Sequence, residues 1–434
     1  MQRIALPAVE RRLQGRYVKL VQSHLRAVPE LAAGVPSFFG ASSAFAATQA
    51  TWRFLNNERV SLSALAEPLR EAGRRQVANS QARFVLLIQD WSKLTFNQPL
   101  RKQDLAQLTH SADVGYELTT ALLVSADNGS PLAPMEMHLR TGRGVLSTRC
   151  PSPPAQPHLE QVLPTMEAAR TWGLSKPIVH VIDREGDSVD HYRRWDAAGE
   201  KFLVRADDRR VQWDGESCLL SQIREKLMRE NAFRCAGDGE YRGRPAQLWT
   251  VETEVVLYRP AKKNVCGKRY ESPGSALSLR LIFVQLRNRE DKVLADWMLL
   301  SNVPREWAAT EHLARCYYWR WRIESFFKLL KSHGQQLEQW QQHTGPAIAR
   351  RLLIAAMACV VVWQLQADDS PKALEFKNVL VRLSGRQMKR KRPHTAPALL
   401  AGLWVLLSML SLLDHYPLDD IKRLATQVPH LETG

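Results

Sequence analysis

Acidic residues are the scarce charge in this chain. Its 44 Asp and Glu stand against 60 Lys and Arg, a formal net charge of +16. Such an excess argues for a polyanionic partner, with an anionic membrane surface as the weaker alternative. Cysteine is sparse too: six in 434 residues, none in a C-x-x-C pair. Their spacing frames neither a zinc site nor a disulfide scaffold, so they read as reduced cytosolic thiols. The start, MQRIALPAVERRLQGRY, lacks the apolar stretch of a signal peptide. Two late apolar runs, Leu352 to Leu365 and Ala398 to Leu413, fall short of the ~20 residues that span a bilayer. They predict buried core helices and no membrane partner. Also missing are the G-x-x-x-x-G-K-[ST] phosphate loop, the G-x-S-x-G elbow, the H-E-x-x-H zinc helix, internal repeats and low-complexity tracts.

What is present is ordinary globular material, 45% hydrophobic and 24% charged, enough for several domains. Residues 1–65 read as a basic helical domain, broken at Asn56-Asn57 and restarted by a Ser61 or Ser63 cap. From 66 to 205 the pattern is α/β. FVLLIQ (Phe84 to Gln89), Tyr116 to Ser125 and Leu132 to Leu139 read as strands, with an Asp-Asn-Gly turn at 127–129. A helix near Leu159 to Trp172, a strand at PIVHVI (Pro177 to Ile182), a helix over Ser188 to Ala198 and a strand at Phe202 to Val204 follow. This order predicts an antiparallel meander continued by parallel neighbours. Residues 206–296 alternate like exposed antiparallel strands and read as a β-rich insertion. Residues 297–365 return to the core, and 366–434 read as helical, with a basic cluster at Lys389 to Arg392.

Two aspartates stand out. Asp90 and Asp183 each follow an apolar run, and catalytic groups gather where strands leave an α/β sheet. Asp187, in the same DREGD stretch as Asp183, is a rival. A third carboxylate lies in YYWRWRIESFFKLLK, Tyr317 to Lys331, which predicts one helix. At about 100° per residue, Tyr317, Arg320, Glu324 and Lys331 fall at roughly 0°, −60°, −20° and −40°, with Lys328 at about 20°. Trp319, Ile323, Phe326 and Leu330 occupy the other side, built for burial. Three carboxylates brought together need a cation between them. Asp90, Asp183 and Glu324 would bind magnesium or manganese through oxygen, and two such ions suit phosphoryl transfer. Tyr317, Arg320, Lys328 and Lys331 would hold DNA phosphates beside them.

These residues carry a resemblance. Tyr317, Arg320, Glu324 and Lys331 match Y-x2-R-x3-E-x6-K without a gap. IQD (Ile88 to Asp90), VIDREGD (Val181 to Asp187) and WRFLNNERVS (Trp52 to Ser61) look like further blocks of the same family. The chain resembles the DDE-class bacterial cut-and-paste transposases with the YREK signature, insertion-sequence relatives of the transposon-five transposase. The resemblance implies an RNase H-like core interrupted by a β-strand insertion, with helical N- and C-terminal domains. It implies metal-dependent cleavage at transposon ends, hairpin formation and strand transfer into target DNA. It also implies double-stranded DNA as partner, a homodimer in the synaptic complex, two Mg2+ ions (Mn2+ as substitute) per site, and action in the bacterial cytoplasm at the nucleoid. Trp297 and Trp321 align with aromatics that stack on a flipped base, core packing being the alternative for each. Arg205 matches an arginine near the active-site DNA. Trp91-Ser92 and Asn97 depart from close relatives. A nuclease on the same core, or a transposase reduced to DNA binding, are the rival readings.

Overall fold

The computed structural model describes residues 4–26, 41–96, 99–154, 157–265, 268–387 and 394–427. Asn97 and the Lys389–Arg392 cluster lie outside them. Three helices come first: α1 Arg11–Arg26, α2 Ala41–Leu55 and α3 Leu62–Asn79. The Ser61 side chain caps α3 by accepting from Ala64 N at 3.2 Å, satisfying a donor that the helix cannot. Then come β1 Val85–Leu94, β2 Ala106–Gln107, β3 Val114–Ser125, β4 Pro131–Thr141, β5 Gly144–Ser147, α4 Val162–Ala169, β6 Ile178–Ile182, α5 Val189–Ala197 and β7 Lys201–Arg205. Next are β8 Arg210–Trp213, β9 Glu216–Leu219, α6 Leu220–Arg229, β10 Arg234–Tyr241, β11 Arg244–Leu257, β12 Ala261–Val265, β13 Lys268–Ser272, β14 Leu277–Arg287 and β15 Val293–Ser301. The chain closes with α7 Thr310–Tyr318, α8 Trp321–Lys331, α9 Gly345–Ala367, α10 Pro371–Leu383, α11 Ala396–Leu413 and α12 Leu418–Ala425.

One mixed sheet organises the protein, in the order β5-β4-β3-β1-β6-β7-β15-β14-β11-β8-β9, with β10 on β11 and β2 on β3. The first strands form the antiparallel meander that the element order predicts, and β6 and β7 add in parallel. The strands of 206–296 do not stand apart, because β15 pairs antiparallel with β7 and carries the sheet onward.

Two expectations need correction. Asp90 does not follow its strand; β1 runs on to Leu94. The parallel pairing with β6 ends at Ile88↔Val181, but β3 keeps pairing as far as Leu94↔Tyr116. Asp90 therefore sits where β1 loses one neighbour and keeps the other. The signature helix is also not continuous: α7 ends at Tyr318 and α8 begins at Trp321. Between them Arg320 N, Arg322 N and Ile323 N each donate to the carbonyl three residues back, a tightened 3₁₀ step that interrupts the α-helical ladder. Trp319 packs at this step against Gly129, whose φ of +70° and lack of a side chain leave room for the indole.

The apolar core lies between the sheet and α1, α3, α8 and α9. Helix α9 has 23 residues and is longer than the apolar run suggested. By length and composition both α9 and the 18-residue α11 are apolar enough to cross a membrane. Of their most apolar stretches, 89% is buried inside the protein for α9 and 33% for α11. Helix α9 is the central core helix. Its buried Arg350 donates to Leu55 O and Val60 O, tying α9 to the turn after α2.

Candidate active site

The sheet register positions the first two carboxylates. Ile88 and Val181 are paired in parallel strands, and Asp90 and Asp183 each lie two residues beyond. Residues two apart face the same side of a strand, so both aspartates start from one side of the sheet. Asp183 then opens a short 3₁₀ turn, Arg184–Gly186, which its Oδ1 caps by accepting from Glu185 N at 2.8 Å. The third carboxylate, Glu324, stands in the first turn of α8.

Arg320 joins two of them, Asp90 and Glu324. Its Nη1 donates to Asp90 Oδ2 at 2.8 Å, and its Nη2 donates to Glu324 Oε1 at 2.8 Å. The Arg320 and Asp90 side chains are 12% and 14% exposed, while Glu324 is 43% exposed and opens to solvent. The other Asp90 oxygen accepts from Trp91 N at 2.8 Å. Burial pushes the Asp90 carboxyl up to about 6; Arg320 and the Trp91 N–H oppose this, and Asp183 and Glu324 add to it. Burial also works against the Arg320 charge, but Tyr317, Asp90, Glu324 and Asp183 more than restore it. A single guanidinium thus feels all three carboxylates.

The remaining residues sort around this centre. Tyr317 is buried, and burial pushes its phenol up to about 12 despite the charges of Arg320 and Arg205. Arg205 ends β7, opposite Leu299 of β15. Trp297 on β15 is 7% exposed. Its ring meets those of Tyr317 and Trp321, each with centroids 5.9 Å away, the latter edge-on. Trp297 is packed in this arrangement, and Trp321 is half-exposed beside it. Lys328 is exposed on α8. Lys331 donates to Lys93 O and lies 3.5 Å from Glu338 Oε1. Asp187 is fully engaged: it accepts from the Tyr192 hydroxyl at 2.6 Å and from Asp207 N at 2.8 Å, and pairs with Arg209 at 2.5 Å. That makes Asp187 an anchor for the chain beyond β7.

Two features gave no sequence signal. One is the Arg320 bridge. The other is His158, first residue of the 3₁₀ turn His158–Gln161 before α4, which stacks on Trp91 with ring centroids 3.8 Å apart and faces Glu117 and Glu185. Nothing in the local run QPHLEQ marks that contact.

Three carboxylates offer only hard oxygen donors, which fits a divalent cation such as Mg2+ or Mn2+. As placed, however, Arg320 takes up two of them. Among the described residues no group of three acidic, His or Cys side chains converges to hold a metal ion. The donor set fits, and the guanidinium closes it.

Comparison with known proteins agrees with this chemistry. No curated protein matches the chain. Among solved structures, a cryo-EM structure of a piggyBac transposase synaptic complex with hairpin DNA is similar at 11% identity, over 96% of this chain and 76% of that one. The TM-score of 0.35 is too low to decide the fold. The family model described as the transposase DDE domain matches residues 137–361, more than half of the chain, taking in Asp183 and Glu324 and leaving Asp90 outside. The chain belongs to the transposase DDE domain family, and with it to the metal-dependent enzymes of DNA transposition.

Proposed function

We propose that the protein is a cut-and-paste DNA transposase of the YREK group, built on an RNase H-like core. In this reading residues 1–65 bind DNA, 66–205 and 297–365 form the catalytic core, 206–296 form the insertion, and 366–434 serve dimerisation. The observation that carries the reading is the Arg320 fork that joins Asp90 to Glu324, with Asp183 two residues beyond the Ile88↔Val181 pair on the neighbouring strand. Carboxylates from a strand and a late helix have no packing reason to share one half-buried guanidinium. Asp90, Asp183 and Glu324 would hold two Mg2+ ions, or Mn2+ in their place. When bound, the ions supply charge stabilisation at the attacking and leaving oxygens.

The chain's own residues position the DNA. Arg320 just before α8, and Lys328 and Lys331 on it, would pair with phosphates, with the Tyr317 hydroxyl behind them. Arg205 closes the site from the β7 side. Trp297 and Trp321 would receive a base displaced near the hairpin, which requires the packed Trp297 edge to open. Cleavage, hairpin formation and strand transfer then follow on double-stranded DNA, at the nucleoid in a bacterial cytoplasm.

Glu324→Gln tests the catalytic assignment. It keeps size and packing but removes one anionic oxygen. End cleavage is expected to fall below roughly one-thousandth, with binding of a terminal-repeat duplex nearly intact. Cleavage at the wild-type rate would refute the assignment, and cleavage without strand transfer into a target plasmid would favour the nuclease. The dimer has its own support: α11 exposes Val405, Met409, Leu410 and Leu413 on one helix, an apolar surface that an isolated chain leaves wet. Sedimentation with end DNA should show two chains in one complex. A Leu410→Glu variant should give single-chain complexes.

A further inference from the structure

We propose that Arg320 holds the place of the metal in the DNA-free enzyme, and that a DNA phosphate releases it, so that the carboxylates load with divalent cation only on DNA. The inference rests on the assignment of Asp90, Asp183 and Glu324 as metal ligands.

The geometry is that of a placeholder. Both prongs of the guanidinium are used, one on Asp90 Oδ2 and one on Glu324 Oε1. These are the oxygens a cation needs. Asp90 Oδ1 is held by the Trp91 N–H and Asp183 Oδ1 by the Glu185 N–H, so the backbone already takes one oxygen of each aspartate. A cation and Arg320 therefore compete for the same lone pairs. Like charge adds to the exclusion, because a guanidinium beside a divalent ion would repel it.

The bridge is also incomplete as a structural pair. Arg320 Nε is buried and has no hydrogen-bond partner among the described residues. The Thr120 hydroxyl, directly opposite Asp90 on β3, is likewise buried and unpartnered. Buried donors without partners are uncommon in a settled site. Both become intelligible if this arrangement is one of two. The second arrangement needs an acceptor for the fork, and two oxygens of a phosphate accept both prongs at once. Lys331 is occupied by Glu338 and the Lys93 carbonyl, so Arg320 is the cation whose release changes the carboxylates.

Coupling of this kind is reciprocal. DNA that draws Arg320 away raises metal affinity, and metal raises DNA affinity by the same factor. The consequence is an enzyme that stays free of metal until a phosphate backbone lies in the site.

The test is Mn2+ titration of the full-length, DNA-free protein, followed by the EPR signal of free Mn2+, with thermal melts to confirm folding. Arg320→Gln is expected to bind Mn2+ at least about tenfold more tightly than wild type. Wild type should gain a comparable factor on adding end DNA, and Arg320→Gln should gain little more. Arg320→Lys keeps the charge but cannot bridge both carboxylates, so an intermediate gain is expected; it carries the comparison if Arg320→Gln does not fold. Affinity unchanged or weaker in both variants overturns the proposal. Adding Glu324→Gln to Arg320→Gln separates the two levels. Loss of the gain places the ion on these carboxylates, whereas persistence of the gain means that the ligand assignment itself is wrong.

Discussion

His158 shows how a single residue can steady the strand beside a candidate site from behind. Trp91 follows Asp90 on β1, so its ring emerges on the opposite face of the sheet, and His158 stacks there. The imidazole nitrogens lie 3.5 Å from Glu117 Oε2 and 3.3 Å from Glu185 Oε2. Glu185 in turn belongs to the turn that Asp183 caps. Burial alone would lower the His158 pKa, but the two carboxylates raise it above its ordinary 6.5. A group whose folded pKa is raised stabilises the fold fully below its unfolded value and loses that contribution as pH rises through the folded one. Urea midpoints of wild type and His158→Gln, compared between about pH 6 and 9, should differ most at the acid end and converge toward the alkaline end. A gap independent of pH would show that His158 acts through packing alone. Neither of its acidic partners is near it in sequence, which is why no motif announced it. Asp90 and Asp183 were legible because each sits just past an apolar run. Arg320 was legible only as a cation on a polar stripe; its grip on two carboxylates depends on the register of a distant strand.

Among the elements, apolar runs were the readable part. FVLLIQ, PIVHVI and the alternating stretches of 206–296 all became strands, because their periodicity needs no partner to be recognised. The helix break at Trp319-Arg320 left no trace, since the apolar spacing continues straight through it and the cause is the docking of Trp319 on the turn at Gly129. The start of α9 hides another distant dependence. Its first N–H, Gly345 N, donates to both Asp104 carboxylate oxygens, at 3.1 and 2.9 Å, and the Tyr116 hydroxyl donates to the same carboxylate. A buried negative charge at a helix N-terminus meets unpaired donors and the positive end of the dipole. Asp104→Ala should therefore cost about 2 kcal/mol or more, combining a lost cap with a stranded phenol. Asp104→Asn keeps an acceptor and should cost less. Urea denaturation of the two variants checks the order, and equal losses would mean that the charge and not the hydrogen bonds secures α9.

For the molecule as a whole, the excess of positive charge was the first sign of a polyanion, but composition could not say which cations face it. The structure separates two lysines that the helical stripe had grouped. Lys328 stands exposed on α8, while Lys331 is held by Glu338 and the Lys93 carbonyl. A free lysine that meets a phosphate releases a counterion from DNA. One already paired with a carboxylate must first leave that partner, and the freed Glu338 then repels the backbone. Binding of an end duplex should weaken linearly on a log–log plot against salt. Lys328→Ala should reduce the slope by about 0.9, the value of one phosphate contact on duplex DNA. Lys331→Ala should reduce it by clearly less, and removing Glu338 as well should restore the full effect of Lys331. Equal slopes for the two single variants would mean that the Glu338 pair dissolves in the complex and that both lysines reach phosphates on equal terms.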